Sequence, residues 1–233
     1  MIVFLIACII IVLILLIVLN RHRDPLIWQK DLPDDNNIHD VFIPGTHDSG
    51  AYDCIMRPIA CCQELTIQEQ LEAGVRLFDI RVDGITNKIV HGPVTCFEGT
   101  SLTFDQCLNT MTDFLQKYPS EFILIYITEQ RSKGKLKVIN ENTNITVGEA
   151  RGRIITIDKP WMSQDVFYVN PIKKWKLFTE SHEQINCLNV YGLPRVWSFY
   201  LNWKLMKWSP SMPQWISTDF ITRGICERII SWN

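Results

Sequence analysis

The residues best suited to chemistry fall just after, or late within, apolar strand-like runs. His47-Asp48 follows Asp40-Val-Phe-Ile-Pro44, Asp79 and Arg81 lie on the run Val75 to Val82, and His91 closes Lys88 to His91. Glu129 follows the run Glu121 to Thr128, and Asp219 lies late in Trp215 to Ile221. The chain has five histidines, at 22, 39, 47, 91 and 182, so two of them fall in such places. Two imidazoles, a guanidinium and several carboxylates suit cleavage of a phosphate diester. One imidazole takes a proton from a hydroxyl nucleophile, the other returns one to the leaving oxygen, and the guanidinium holds the phosphate charge. Carboxylates orient each imidazole and favour its charged form. Taken singly, each feature has a plainer meaning: a His-Asp pair is commonly a surface turn, and Asp-x-Arg on a strand an ion pair. Asp219, ahead of the apolar-periodic tail Ile225, Ile229 and Trp232, could equally cap a helix.

The elements that would position these groups alternate between strand and helix. Thr66-Ile-Gln-Glu69 is a capping box opening a short helix through Leu71, stopped by Gly74. Phe104, Cys107, Leu108, Met111, Phe114, Leu115 and Tyr118 recur every three or four residues, so 102–118 is a helix with one apolar face, ended by Pro119. Glu121-Phe-Ile-Leu-Ile-Tyr-Ile-Thr128 is continuously apolar, as in a sheet covered on both faces. Arg153 to Asp158, Val196 to Leu201 and Trp215 to Ile221 are further strand candidates, and 131–147 is a polar loop or short helix. This order predicts an α/β fold, a TIM-like (β/α) barrel, distorted or incomplete. In such a barrel the chemistry sits at the C-terminal strand ends.

Composition narrows the classes. The 233 residues carry 23 Lys+Arg against 25 Asp+Glu, a near-neutral balance with no basic field for nucleic acid. Ile2 to Leu19 is an unbroken apolar run of 18 residues, ended by Asn20-Arg21-His22-Arg23-Asp24. A helix of that length spans about 27 Å, close to the bilayer core of about 30 Å. The expectation is a single-pass protein with a transmembrane anchor over 1–20, a juxtamembrane segment over 21–37 and a catalytic barrel over 38–233. The positive flank after the run favours the cytosolic side. Seven cysteines beyond the anchor show no zinc spacing and are expected to be buried thiols, and Asn144-Ile145-Thr146 is one sequon.

The spaced blocks Ile43-Pro-Gly-Thr-His-Asp-Ser-Gly50, Gln70-Leu-Glu-Ala-Gly-Val-Arg-Leu-Phe-Asp-Ile-Arg81 and Val90-His-Gly-Pro93 resemble the X domain of phosphatidylinositol-specific phospholipase C. The likeness continues through Phe114-Leu115, Tyr118-Pro-Ser-Glu121 and Gly148-Glu-Ala-Arg-Gly-Arg153, and covers about 38–158 well. It is closer to the bacterial, metal-independent branch, because Asp48 follows His47 and Arg81 stands where the calcium-dependent branch has a metal-binding carboxylate. The resemblance implies cleavage of a phosphatidylinositol-type lipid to diacylglycerol and a cyclic inositol phosphate. It implies His47 as general base, His91 as general acid paired with Asp48, Arg81 as phosphate ligand positioned by Asp79, and Asp219 as the partner of His47. No cofactor is expected, and no metal, since a fixed guanidinium can supply the charge a cation would. The alternatives are that Asp48, Asp79 and Glu129 bind a divalent cation, that the chain is a metal-dependent barrel phosphodiesterase acting on another phospholipid head group, or that it is a non-catalytic lipid-binding membrane protein.

The chain departs from the bacterial pattern at Thr128, where relatives tend to carry a lysine against inositol, and it is shorter after residue 158. Glu129, Lys159 and Tyr168 are the substitute candidates for substrate contact. Tyr200 to Trp208 mixes Trp, Leu and Met with two lysines, so Trp203 and Trp208 are candidates for contact with a bilayer.

Overall fold

The structure, a computed structural model, describes residues 23–131, 143–157, 166–169, 194–210 and 212–233, with 166–169, 196 and 197 described by backbone alone. Six strands form one parallel sheet. They are β1 (Ile43–Thr46), β2 (Leu77–Val82), β7 (Ile123–Glu129), β8 (Ile154–Ile157), β9 (Val166–Val169) and β10 (Trp215–Thr218). Their order is β8-β7-β2-β1-β10-β9. Between β2 and β7 lie two small antiparallel hairpins, β3 (Val90–His91) with β4 (Val94–Thr95), and β5 (Phe97–Glu98) with β6 (Thr100–Ser101). This is an α/β fold whose all-parallel sheet is covered by helices.

The helices follow their sequence signals. α1 (Arg57–Ala60) is a single turn, and α2 (Ile67–Ala73) opens on the full capping box of Thr66 and Glu69. Gly74 ends α2 at φ 114°, a left-handed conformation that a side chain would strain. α3 (Phe104–Lys117) opens on a second capping box, Thr103 with Gln106, and buries Phe104, Cys107, Met111, Phe114 and Leu115 along one stripe. α4 (Val147–Ala150) carries a third box, Thr146 with Glu149, and α6 (Arg223–Ile230) is capped by Thr222. β1 and β10 bury every residue, β2 all but Arg81, and 121–126 is buried throughout, which is why that run lacks polar alternation.

Three expectations are corrected here. The proposed strand Val196 to Leu201 lies within helix α5 (Pro194–Lys207). Pro194 suits a first helical position, and Ser198, Leu201 and Leu205 are buried while Phe199, Tyr200 and Trp203 face outward, a helical period. The single-pass membrane localisation is not supported. Among the described residues no helix is long and apolar enough to cross a membrane, and residues 1–20 lie outside the described residues. The longest described helices, α3 and α5, have 14 residues each, short of the roughly 20 a span requires.

The third correction concerns residues 24–37, which are part of the barrel rather than a segment outside it. Trp28 is fully buried and its indole N–H donates to the Gly74 carbonyl at 2.9 Å. Arg76 Nη2 donates to the Leu26 carbonyl at 2.7 Å, and Glu121 accepts the backbone N–H groups of Gln29 and Lys30. Arg76 and Glu121 are themselves a fully buried ion pair at 2.9 Å. These groups precede β2 and β7, so the segment closes the N-terminal end of the barrel, away from the strand ends that carry His47 and Asp219.

Candidate active site

The turn after β1 builds the site. Asp48 sits at φ 44°, a left-handed conformation that Asp tolerates better than bulkier residues, and its carbonyl accepts from Ala51 N–H. The turn locks onto β2 reciprocally. Asp79 N–H donates to Ser49 Oγ, Ser49 N–H donates to the Asp79 carbonyl, and Asp48 N–H donates to Asp79 Oδ2 at 3.1 Å. Gly50 lets the turn press on Ile89, the residue just before β3, since a Cβ there would lie 2.5 Å from Ile89 Cγ2. Pairing of β1 with β10 puts Thr46 beside Thr218, so the next residues, His47 and Asp219, emerge side by side.

The two histidines have opposite surroundings. His47 Nδ1 lies 2.8 Å from Asp219 Oδ1, and its Nε2 lies 2.6 Å from Arg81 Nη2. A carboxylate only accepts and a guanidinium only donates. Nδ1 therefore carries the proton and Nε2 presents a lone pair, the state of a general base. His91 Nδ1 lies 2.8 Å from the Ala60 carbonyl, and its Nε2 is 3.2 Å from Asp48 Oδ2. Both nitrogens of His91 face acceptors, the arrangement of a proton donor. Arg81 lies between, with Nε 2.6 Å from Asp48 Oδ1 and Nη2 3.1 Å from Asp79 Oδ2.

Burial tunes the charges. Desolvation pushes His47 down, but the carboxylates of Asp219 and Asp48 outweigh it, and its pKa is raised above the usual value. Burial raises Asp219 too, against the lowering effect of His47. Arg81 is penalised by burial, yet Asp48 and Asp79 hold its pKa well above the ordinary guanidinium value, so it stays a cation. Several buried oxygens here lack hydrogen-bond partners: Oδ1 of Asp79, Oδ2 of Asp219 and Oγ1 of Thr128. Such atoms are costly when left dry, so they mark a place where a polar ligand fits.

The possible metal ligands are also compromised. His47, Asp48 and Cys62 present ligand atoms within 4.8 Å of one another. Arg81 already lies against His47 and Asp48, where it would repel a cation. Burial first, and then Asp219 and Asp48, push the Cys62 thiol far up, so it is a poor thiolate donor.

His47, Asp48, Asp79, Arg81, His91 and Asp219 thus lie in one cluster. The helix-capping alternative for Asp219 falls to Thr222, whose side chain accepts from Ile225 N–H. Glu129 is the last residue of β7, paired with Val82, while Thr128 pairs with Arg81. Strand alternation therefore sets Glu129 on the opposite face from Arg81. Lys159 lies outside the described residues, and Tyr168 pairs in register with Ser217 on β10 but its side chain is not described. Trp203 is exposed on α5 with Lys207 Nζ 3.9 Å over its ring. Trp208 instead packs edge-on against Trp232 at 5.8 Å, beside the core.

Two contributors carry no sequence signal. Gln63 donates to the carbonyls of both His47 and Thr218 and accepts from Ile221 N–H, which ties the two strand ends together. The Ala60 carbonyl orients His91 through a backbone atom that any residue would supply.

The family model "Phosphatidylinositol-specific phospholipase C, X domain" matches residues 41–150. The 1-phosphatidylinositol phosphodiesterase of Listeria monocytogenes is 37% identical over 110 residues, 45% of this chain and 33% of that protein. The Staphylococcus aureus protein of the same name is 24% identical over 165 residues, 59% of this chain and 52% of that one. The chain thus spans a third to a half of the length of these curated relatives. In three dimensions it is similar to the solved phosphatidylinositol-specific phospholipase C of Listeria monocytogenes, with a TM-score of 0.69 at 22% identity, over 90% of this chain and 99% of that one. A variant of the Staphylococcus aureus phospholipase C gives 0.69 at 19% identity, over 91% and 99%. Residues 41–150 resemble this X domain in sequence, and the chain as a whole shares the TIM-like fold of the bacterial phosphatidylinositol-specific phospholipases C.

Proposed function

We propose that the chain is a phosphoric diester hydrolase that cleaves phosphatidylinositol-type lipid to diacylglycerol and a cyclic inositol phosphate, without a metal. The observation that carries this is the contrast between the histidines: His47 offers a lone pair beside Arg81, and His91 offers protons between Ala60 and Asp48. His47 removes the proton from the inositol 2-hydroxyl, which attacks phosphorus within the same molecule. Sharing one molecule supplies much of the acceleration. Arg81 binds a non-bridging oxygen, and Asp79 and Asp48 hold its fork in place. His91 protonates the departing diacylglycerol oxygen, and Asp219 stabilises the His47 imidazolium that forms.

The catalytic unit runs from the Trp28 segment to the C-terminus rather than from residue 38. Its lipid-facing surface includes the outer face of α5, where Phe199, Tyr200, Trp203 and Met206 are exposed beside Lys204 and Lys207.

The acid–base assignment is tested with two inositol phosphodiesters, one with an alkyl leaving group and one with an acidic phenol. His91→Ala should lose activity on the alkyl ester and regain most of it on the phenyl ester, which leaves without a proton. His47→Ala should be poor on both. Equal loss by His91→Ala on the two substrates would refute the general-acid role.

A further inference from the structure

Three cysteines gather beside the site. Cys54 and Cys96 have Sγ atoms 3.3 Å apart, and Cys61 Sγ lies 3.5 Å from the Tyr52 carbonyl just upstream. Cys54 and Cys96 stand opposite each other in an isolated antiparallel bridge. Antiparallel partners have Cα atoms about 4.5–5.5 Å apart, within the roughly 4.4–6.8 Å that disulfides require. Both side chains are buried. An open cavity of about 450 Å³ adjoins the pair, and its walls include Ile55, Thr95 and Phe97, their immediate chain neighbours.

We propose that Cys54 and Cys96 are a disulfide-forming pair that fastens the cradle of His91. The two groups that hold the His91 ring, Asp48 and the Ala60 carbonyl, both lie in the segment 48–60 that contains Cys54. Cys96 lies in the hairpin region that carries His91 itself. A bond between them closes a loop of about 40 residues across this junction and constrains the unfolded chain more than the folded one. The sulfurs need to approach by only about 1.2 Å to reach bonding distance.

The co-reactant is a small disulfide such as oxidised glutathione. One cysteine thiolate attacks it and forms a mixed disulfide, releasing one glutathione thiol. The second cysteine thiolate attacks the protein sulfur of that mixed disulfide and releases the other. Two electrons pass from the cysteine pair to glutathione disulfide, and the two thiol protons end on the two glutathione thiols.

The test uses the full chain, reduced with dithiothreitol or equilibrated with oxidised glutathione, followed by peptide mapping and thermal unfolding. The expected result is a Cys54–Cys96 cross-linked peptide and a Tm raised on the order of 10 °C. The cross-link should persist in Cys61→Ala, and the Tm gain should vanish in Cys96→Ala. A Cys54–Cys61 link, a persistent glutathione adduct, or a lowered Tm on oxidation would overturn the proposal. None of these readouts requires phosphodiesterase activity, so the pair stands or falls apart from the reaction assigned to the site.

Discussion

Two arginines, five residues apart, divide the barrel into a floor and a working face. Arg76 precedes β2 and is fully enclosed. Its donors reach the carbonyls of Leu26, Leu71 and Val75 and the carboxylate of Glu121. Burial lowers its pKa, and Glu121 only partly restores it. Arg81 near the end of β2 meets two carboxylates and a histidine, retains some exposure, and is surrounded by oxygens whose hydrogen bonds are unfilled. A fully satisfied charge holds structure. A charge fixed in place with binding capacity unspent is ready for a ligand. The same residue type at the two ends of β2 therefore serves stability at one end and, in the proposed reaction, phosphate recognition at the other.

Substituting Arg81 itself, and the partner of Arg76, should separate the two roles. The largest effect is expected at the working face: Arg81→Ala should lower kcat/KM by about 10³-fold or more, with a Tm close to that of the parent. Arg81→Lys should recover only part of this, because a point charge cannot replace the fork. An Arg81→Ala protein with near-normal turnover would remove Arg81 from the chemistry. At the floor, Glu121→Ala leaves Arg76 buried without its counter-charge and should cost about 3–5 kcal/mol in denaturant unfolding. The fraction that remains folded should turn over normally. A stable Glu121→Ala protein with impaired kcat would contradict the division.

Smaller effects refine the working face. The raised pKa of His47 predicts that kcat/KM falls on the acid side with a midpoint above 6.5, because the base must be unprotonated. Asp219→Asn removes a negative charge that raises it, so the acid limb should move to lower pH while the maximum rate falls about 10²-fold. An unmoved limb would detach Asp219 from His47. Smallest is Trp203→Ala, expected to weaken binding to phosphatidylinositol vesicles several-fold while leaving cleavage of a short-chain monomeric substrate unchanged.

What the sequence made legible was local. A capping box set the start of α2, apolar periodicity set α3, and strand runs put His47, Asp79, Arg81 and Asp219 at one end of the sheet. The floor was not legible, because Trp28, Arg76 and Glu121 are far apart in the chain and meet only through packing. Nor was α5, where aromatic and β-branched residues between Val196 and Leu201 favour a strand until Leu205 is seen on the same buried stripe. Glu129 shows how one residue of register matters: it adjoins Thr128 in sequence but faces away from Arg81. Gln63 and the Ala60 carbonyl stayed hidden because their roles depend on backbone atoms and distant strand ends.

The most direct measurement follows the phosphorus resonance of phosphatidylinositol in mixed micelles with the full chain and excess chelator. The central claim predicts a cyclic inositol phosphate made by the parent and not by His47→Ala. No product in chelator, with activity restored by calcium or magnesium, would contradict the metal-free role assigned to Arg81.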